Sequence, residues 1–592
     1  MDDLVTRQIM DALRIQQDAA RQLLQATLAK PSTAAHPRDD KLTRPSQVAD
    51  QVAGAQPAVG PQLHDLGAVA RALMQLWFQR PDVAIEQVSR FWTEQLRILT
   101  GTSAIEPARD DHRFDDTTWK ENPAYRQGMQ TYLLLRNGLQ QWIDSLALEH
   151  KESERLKFMV SLVTEALAPS NWPTNPAALK RYLETGGASA LRGLQHMIDD
   201  LLHNQGMPST VKRGALKVGQ DLATTAGKVI HRSEVFELIQ YAPVTDEVYE
   251  RPYLMVPPQI NKFYFYDLSP KKSLVHYALE SGLQVFTISW RNPTQAHRHW
   301  NFDTYIAAVD EAIDVVRDVT QAADINIEGG CVGGITVAAL LAELAARGAR
   351  KVHSATLMVT LLDTSAESQL GNLATPEALE MARRASSLRG VMDGAEMGRI
   401  FALLRPNDLV WNYWVNNYLL GNDPPTFDVL AWNADTSRMA AGFHIDLLDL
   451  VQYNRLARGE FKVQGRPVAL GRIDCDQFWM AGLNDHITPW KGCYQSAQLL
   501  GGRREFVVSD GGHIQAMISS PANPKAKFFV NEALPSDPDA WLAGASEHHA
   551  SWWQHWRDWI TQRAGGRRKA RKALGNARHK PLADAPGVYV FE

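Results

Sequence analysis

The stretch that most constrains this chain is residues 325–334, INIEGGCVGG, followed by the apolar run ITVAALLAELAARG. A short β-branched run ends in two glycines, a lone cysteine follows, and two more glycines precede a helical pattern. Backbone stripped of side chains on both sides of one thiol implies a sharp turn in which neighbouring chain comes too close for a Cβ at Gly329 or Gly333. The expected strand covers 325–328 and the helix begins near Ile335. From about residue 233 onward the same texture recurs: EVFELIQY, PYLMVPP, KFYFYDLS, QVFTISW, SATLMVTLL, QFWMAGLND and REFVVSDGG are short apolar runs, many separated by helical stretches. That alternation predicts an α/β fold, with a largely parallel sheet covered by helices.

A Gly-x-nucleophile-x-Gly sequence between a strand and a helix is the nucleophile elbow of α/β-hydrolase folds. Cys331 then sits at the tip, near the positive end of the following helix, which favours thiolate. The backbone N–H of Val332 is one expected oxyanion donor. A second comes from the loop in LMVPPQIN, where Pro257 and Pro258 have no N–H, leaving Gln259 or Ile260. The pentapeptide alone is equally compatible with a buried structural cysteine. Such an elbow calls for an acid and then a histidine, each on a loop after a later strand. AGLNDHITPW supplies Asp485 and SDGGHIQ supplies His513. His513 would take the thiol proton, and Asp485 would hold the imidazole tautomer and stabilise its cation. The plainer alternatives are that Asp485 caps the turn at 488–489 and that His513 is a loop histidine. His486 is an auxiliary candidate, with packing or hydrogen bonding its first expectation. Asp510 lies in a glycine turn and ranks below Asp485. Cys475 and Cys493 have no glycine elbow and no metal-site spacing, and read as structural.

Organisation follows from composition. A chain of 592 residues, 45% hydrophobic and 22% charged, is too long for one compact core. A net charge of −4 makes no case for nucleic acid. Three cysteines, with no secretory signal and no apolar run of transmembrane length, suggest a cytoplasmic protein with reduced thiols. Residues 1–30 read as an amphipathic helix and 31–64, rich in Pro, Ala, Gln and charge, as a flexible linker. Residues 65–225, with Leu73, Leu76, Trp77, Phe91, Trp92, Leu133, Leu134 and Trp142 in helical period, read as an all-helical N-terminal domain. The catalytic domain covers 226–565, with a cap insertion at about 364–440, longer than a crossover needs. Its Trp411, Tyr413, Trp414, Tyr418 and Leu419 are expected as an apolar lid, Trp411 being an auxiliary site candidate, unless they only fill the cap's own core. Arg399 and Arg405 are candidates for phosphate contacts, with a solvated face as the alternative. In SWWQHWRDWI, Trp552, Trp556 and Trp559 share a helical face, either a docking stripe or, preferably, a core face. Residues 566–592, with RRKARK, read as a solvated basic tail.

Beyond the elbow, the chain resembles the polyhydroxyalkanoate synthases from about Phe114 to its end. The residues that carry the likeness are WKENPAYRQGMQTYLL, APSNWPTNP, VFELIQYAP, NKFYFYDLSPKKSLV, TISWRNPT, GGCVGG, RPNDLVWNYWVNNYLLGNDPP, AGLNDHITPWKGCY and SDGGHIQ. The flavour of NKFYFYDLSP, WRNPTQ and NYWVNNYLLGN is most similar to the medium-chain-length, single-subunit branch. The elbow departs from that branch's Cys-Ser-Gly, having Cys331-Val332-Gly333 as in short-chain enzymes, so monomer length stays open. The resemblance implies that Cys331 carries the acyl group, His513 is the general base, and Asp485 assists it or helps activate the next hydroxyl. It implies 3-hydroxyacyl-coenzyme A as substrate, a mobile cap, no cofactor and no metal. It further implies a homodimer at the surface of a growing polyester granule, with granule-coat proteins as possible partners and no nucleic acid. Two rivals remain: a thioesterase of the same fold, and a scaffold that has kept the fold without turnover.

Overall fold

The computed structural model describes residues 81–366 and 368–592; the calls on 1–30, 31–64 and the start of the helical region, Leu73 to Trp77 included, lie outside them. The N-terminal part is helical: α1 (Pro81–Leu99), α2 (Pro123–Ser145), α3 (His150–Ala166) and α4 (Ala188–His203). Local chemistry starts α2 where it should. Asn122 caps α2, its side chain accepting from the backbone N–H of Ala124 and Tyr125, with Pro123 at the first helical position. Trp142, Ile143, Leu156, Met159 and Val160 form the shared core of α2 and α3.

After residue 226 the chain builds one sheet of eleven strands. In chain order they are β1 (Gly227–Arg232), β2 (Phe236–Tyr241), β3 (Tyr253–Val256), β4 (Val285–Trp290), β5 (Ile325–Gly330), β6 (Val352–Met358), β7 (Asp476–Gly482), β8 (Arg504–Ser509), β9 (Phe528–Val530), β10 (Ser546–His548) and β11 (Ala583–Asp584). Across the sheet the order is β10-β9-β8-β7-β6-β5-β3-β4-β2-β1-β11. The centre, from β4 to β8, is parallel and both flanks are antiparallel. The central strands β3 and β5 are buried along their whole length, which is why they read without a clean alternation. Helices α5 (Phe302–Thr320) and α6 (Val332–Ala346) cover one face. The helix Trp552–Thr561 packs on the other, with Trp552, Trp553, Trp556 and Trp559 buried against Phe478 and Tyr253. The core-facing reading of that tryptophan stripe holds, and the docking reading does not.

Three expectations are corrected. KFYFYDLS is not a strand: Phe263–Tyr266 is a 3-10 turn with all four rings buried. Four consecutive buried aromatics cannot satisfy a strand's two-sided alternation unless both faces are covered, and this segment lies beside the sheet. The helix after the elbow begins at Val332, three residues earlier than expected, directly on Cys331. Residues 566–592 are not a solvated tail. Arg567–Lys569 pairs with Glu247–Tyr249, β11 adds to β1 as an edge strand, and Tyr589 and Val590 are buried. Glu237, fully buried, accepts from the backbone N–H of Val588 and Tyr589 and so ties this segment down.

Candidate active site

Between β6 and β7 the chain leaves the sheet and forms a cap of short helices, among them Pro376–Arg389, Gly394–Leu404 and Asp428–Ala434. A two-residue pairing of Val391–Met392 with Met439–Ala440 closes it at the base. Under the cap lies a cavity of about 700 Å³. Cys331, His513, Gly512 and Met517 form its floor, Pro258, Ile260 and Asn261 one wall, and Phe401, Ala402, Leu409 and Trp432 are among the cap residues above.

Each glycine of the elbow answers to a neighbour. A Cβ on Gly333 would stand 2.4 Å from the Val256 carbonyl oxygen, and one on Gly334 would stand 1.9 Å from Thr360 Oγ1. A Cβ on Gly329 would meet the Gly334 Cα at 2.7 Å. The turn is therefore packed between β3 and the end of β6, and only backbone fits. Cys331 has φ 52° and ψ −122°, a conformation L residues rarely adopt and one that stores strain at the nucleophile. It is held there because its N–H donates to the Met358 carbonyl (2.9 Å) while its own carbonyl accepts from Gly334 N–H (3.0 Å). Val332 N–H, in the first turn of α6, has no acceptor within the helix.

His513 and Asp485 come together as the sequence order predicted. Asp485 Oδ2 accepts from His513 Nδ1 at 2.7 Å and from Thr488 Oγ1 at 2.8 Å. Asp485 Oδ1 accepts from the backbone N–H of Ile487 (2.9 Å) and Thr488 (3.0 Å). The same carboxylate caps the turn and holds the His513 ring. Burial raises the Asp485 carboxyl, yet the His513 charge and these hydrogen bonds more than offset it and hold the group below the ordinary carboxylate range. For His513, burial disfavours the cation, but the Asp485 carboxylate and then the neighbouring Cys331 side chain drive its proton affinity well above the ordinary value. The arrangement keeps the proton on the imidazole beside the Cys331 side chain.

Sequence reasoning missed the third member's support. Thr488 Oγ1 lies 3.1 Å from His513 Nδ1, and Trp552 Nε1 and Trp553 Nε1 donate to the carbonyls of Ala516 and Met517 on the short helix His513–Met517. It also missed the segment after α4: Met207, Lys212, Arg213 and Leu216 line the cavity. No local pattern marked it, because its role depends on the fold bringing the N-terminal part over the cap. His486 lines the cavity; burial lowers its proton affinity and its Nδ1 has no partner among the described residues. Trp411 does not line it. Its ring meets Trp414 edge-on at 6.0 Å, Trp414 Nε1 donates to the Asn171 carbonyl, and Tyr418 Oη donates to Asp200 Oδ2. The expected aromatic lid is thus the joint between cap and helical part, and the lid proper is built from the Gly394–Leu404 and Asp428–Ala434 helices. Arg399 and Arg405 do line the cavity, Arg405 paired with Asp408. Cys475 and Cys493 stay inert: burial pushes the first thiol up to about 12 and the second well above its usual value. No cluster of metal ligands occurs among the described residues, and no described helix is long and apolar enough to cross a membrane.

A thiol on an α/β-hydrolase elbow, backed by histidine and aspartate under a cap, defines an acyl-transferring enzyme of the α/β-hydrolase fold. Residues 266–519 match the model of that fold, and residues 110–278 match the model described as the poly-beta-hydroxybutyrate polymerase (PhaC) N-terminus. Poly(3-hydroxyalkanoate) polymerase 1 of Ectopseudomonas oleovorans is 47% identical over 94% of this chain and 99% of its own length. Polymerase 2 of the same organism is 48% identical over 84% of this chain and 89% of its own. The polymerase subunit PhaC of Cupriavidus necator is 40% identical over 81% and 83%. The chain belongs to the poly(3-hydroxyalkanoate) polymerases.

Proposed function

We propose that the chain polymerises 3-hydroxyacyl-coenzyme A through a covalent thioester on Cys331. The observation that carries this reading is Cys331 on the cavity floor beside the buried His513–Asp485 pair. The Cys331 thiolate attacks the thioester carbonyl, the C–S bond to coenzyme A breaks, and the departing thiolate takes the proton held by His513. One thioester replaces another, so the acyl group stays activated; a serine would drop it to a less reactive oxygen ester. The 3-hydroxyl of another unit then gives its proton to His513 and attacks an acyl thioester, forming an ester bond and freeing a thiol. Val332 N–H stabilises the oxyanion in both steps. The cap limits water at the acyl-enzyme. Lys212, Arg213, Arg399 and Arg405 at the cavity supply cations for coenzyme A phosphates. The scheme calls for no cofactor.

The same reading puts the chain at a granule surface, paired with a second copy or a coat protein. Ile85, Trp92, Leu96 and Leu99 on α1 and Leu191, Leu201 and Leu202 on α4 are exposed, and apolar surface of this kind marks contact with apolar matter. The test is to offer 3-hydroxyacyl-coenzyme A substrates from four to twelve carbons and follow thiol release and insoluble polymer together. Polymer that accounts for the released thiol supports the proposal, and the best substrate length sets the subtype. Release with only soluble hydroxy acid would make the chain a thioesterase.

A further inference from the structure

The strand that delivers the nucleophile carries a carboxyl group the acyl-transfer scheme does not use. Glu328 lies three residues before Cys331 on β5 and is fully buried, 0% exposed. Its Oε2 accepts a 2.8 Å hydrogen bond from Tyr253 Oη on β3. Tyr253 packs on the Trp556 ring, whose Nε1 donates to Thr356 Oγ1 on β6. On the other side stands the Tyr266 hydroxyl, also buried, which interacts with both Glu328 and Cys331. That hydroxyl abuts the elbow: a Cβ on Gly330 would lie 2.8 Å from it. Neither Glu328 Oε1 nor Tyr266 Oη has a fixed hydrogen-bond partner among the described residues. The groups facing Glu328 are thus Tyr253 from β3 and Tyr266 from the 3-10 turn, with Thr356 and Trp556 behind Tyr253 and Cys331 beyond Tyr266. No cation among the described residues acts on it.

We infer that Glu328 is a positioning residue that acts through the Tyr266 hydroxyl on the Cys331 thiol, favouring the thiolate when it is a neutral acid and opposing it when ionised. The inference rests on the reading of Cys331 as the reacting thiol. As an acid, Glu328 donates its Oε1 hydrogen to the Tyr266 oxygen, so the tyrosine hydrogen turns away from Glu328 and leaves a positive end toward the elbow. As a carboxylate, it accepts the Tyr266 hydrogen and turns the oxygen lone pairs toward the thiol, adding a buried negative charge of its own. Nothing is bonded or broken but an exchangeable proton. The switch falls in a useful range because burial pushes the carboxyl up to about 7, against the neighbouring Tyr266 and Tyr253 hydroxyls, which lower it. Glu328 does not line the cavity, so it does not touch substrate.

The test uses the full-length protein and the rate of Cys331 alkylation by iodoacetamide, read by mass on the Cys331 peptide across the neutral pH range. Wild type should show a second inflection near neutrality that suppresses alkylation on its alkaline side. Glu328→Gln, locked in the uncharged state, should lose the inflection and react faster there by at least about threefold. Tyr266→Phe, which removes one oxygen and keeps the ring, should lose the inflection too, and it decides the matter if Glu328→Gln does not fold. Coincident wild-type and Glu328→Gln profiles, or an inflection that persists in Tyr266→Phe, would overturn the inference. A Cys331 that fails to react in every protein would remove the thiol reading itself, and this inference with it.

Discussion

At the scale of residues, the site is a question of which protonation states burial and neighbours allow. Asp485 is depressed and His513 raised, so the pair's contribution to stability has a definite window. Asp485 contributes above its unfolded value, about 3.9, and loses that contribution as pH falls; His513 contributes below its unfolded value, about 6.5, and loses it as pH rises through the folded one. The full contribution lies between those two values. Asp485→Asn removes the larger of the two influences that hold the proton on His513 against burial, leaving only the Cys331 side chain to oppose it. We expect overall turnover to fall by on the order of 10²- to 10⁴-fold, as when a triad acid is made neutral. Elongation should suffer more than the first acylation, since the second step asks His513 to take a proton from a hydroxyl, a much weaker acid than a thiol. Single-turnover release of coenzyme A, compared with growth of the chain, separates the two. Equal loss in both would mean that Asp485 only orients His513.

At the scale of elements, the clearest lesson is how much of the elbow's precision is imposed from outside it. The sequence announced the strand, the glycines and the helix, because a turn this tight leaves its mark locally. Gly333 and Gly334 are glycine on account of Val256 and Thr360, residues far away in the chain, and only their effect was readable. Asp485 and His513 were legible because the chain order of acid and histidine follows from the sheet. The support under His513 was not: Trp552 looked like part of one helical face with Trp556 and Trp559, Trp553 stood off that face, and nothing local said that the indole N–H groups of Trp552 and Trp553 would hold Ala516 and Met517. Trp411 was misplaced for the matching reason, since an aromatic run under a cap and one at an interface have the same composition. The indole contacts make a prediction. Trp553→Phe removes the donor to the Met517 carbonyl while keeping most of the buried ring. We expect kcat to fall by about three- to tenfold with KM nearly unchanged, from roughly 1 kcal/mol of lost hydrogen bonding that positions His513. A matched fall in stability with kcat intact would show that the indole only fills space.

At the scale of the whole molecule, the helical part, the cap and the sheet are linked in series. Arg113 donates to Asn407 Oδ1, Trp414 to the Asn171 carbonyl, Asn417 to the Ser209 carbonyl and Tyr418 to Asp200, so the cap's outer side belongs to the helical part. Its inner side closes the cavity over Cys331. The segment expected as a tail extends the sheet at β11 and is tied to Glu237, a long-range pairing that its basic composition concealed. What this assembly is for turns on one atom, the Cys331 sulfur. The most direct measurement is to mix the protein with a 3-hydroxyacyl-coenzyme A, quench in acid within the first turnovers, digest, and weigh the cysteine peptides. The account predicts 3-hydroxyacyl mass, from one unit upward, on the peptide that contains Cys331, none on those of Cys475 or Cys493, and none anywhere in Cys331→Ala, which should fold as the wild type does. Acyl mass on another cysteine, or polymer made by Cys331→Ala, would contradict it.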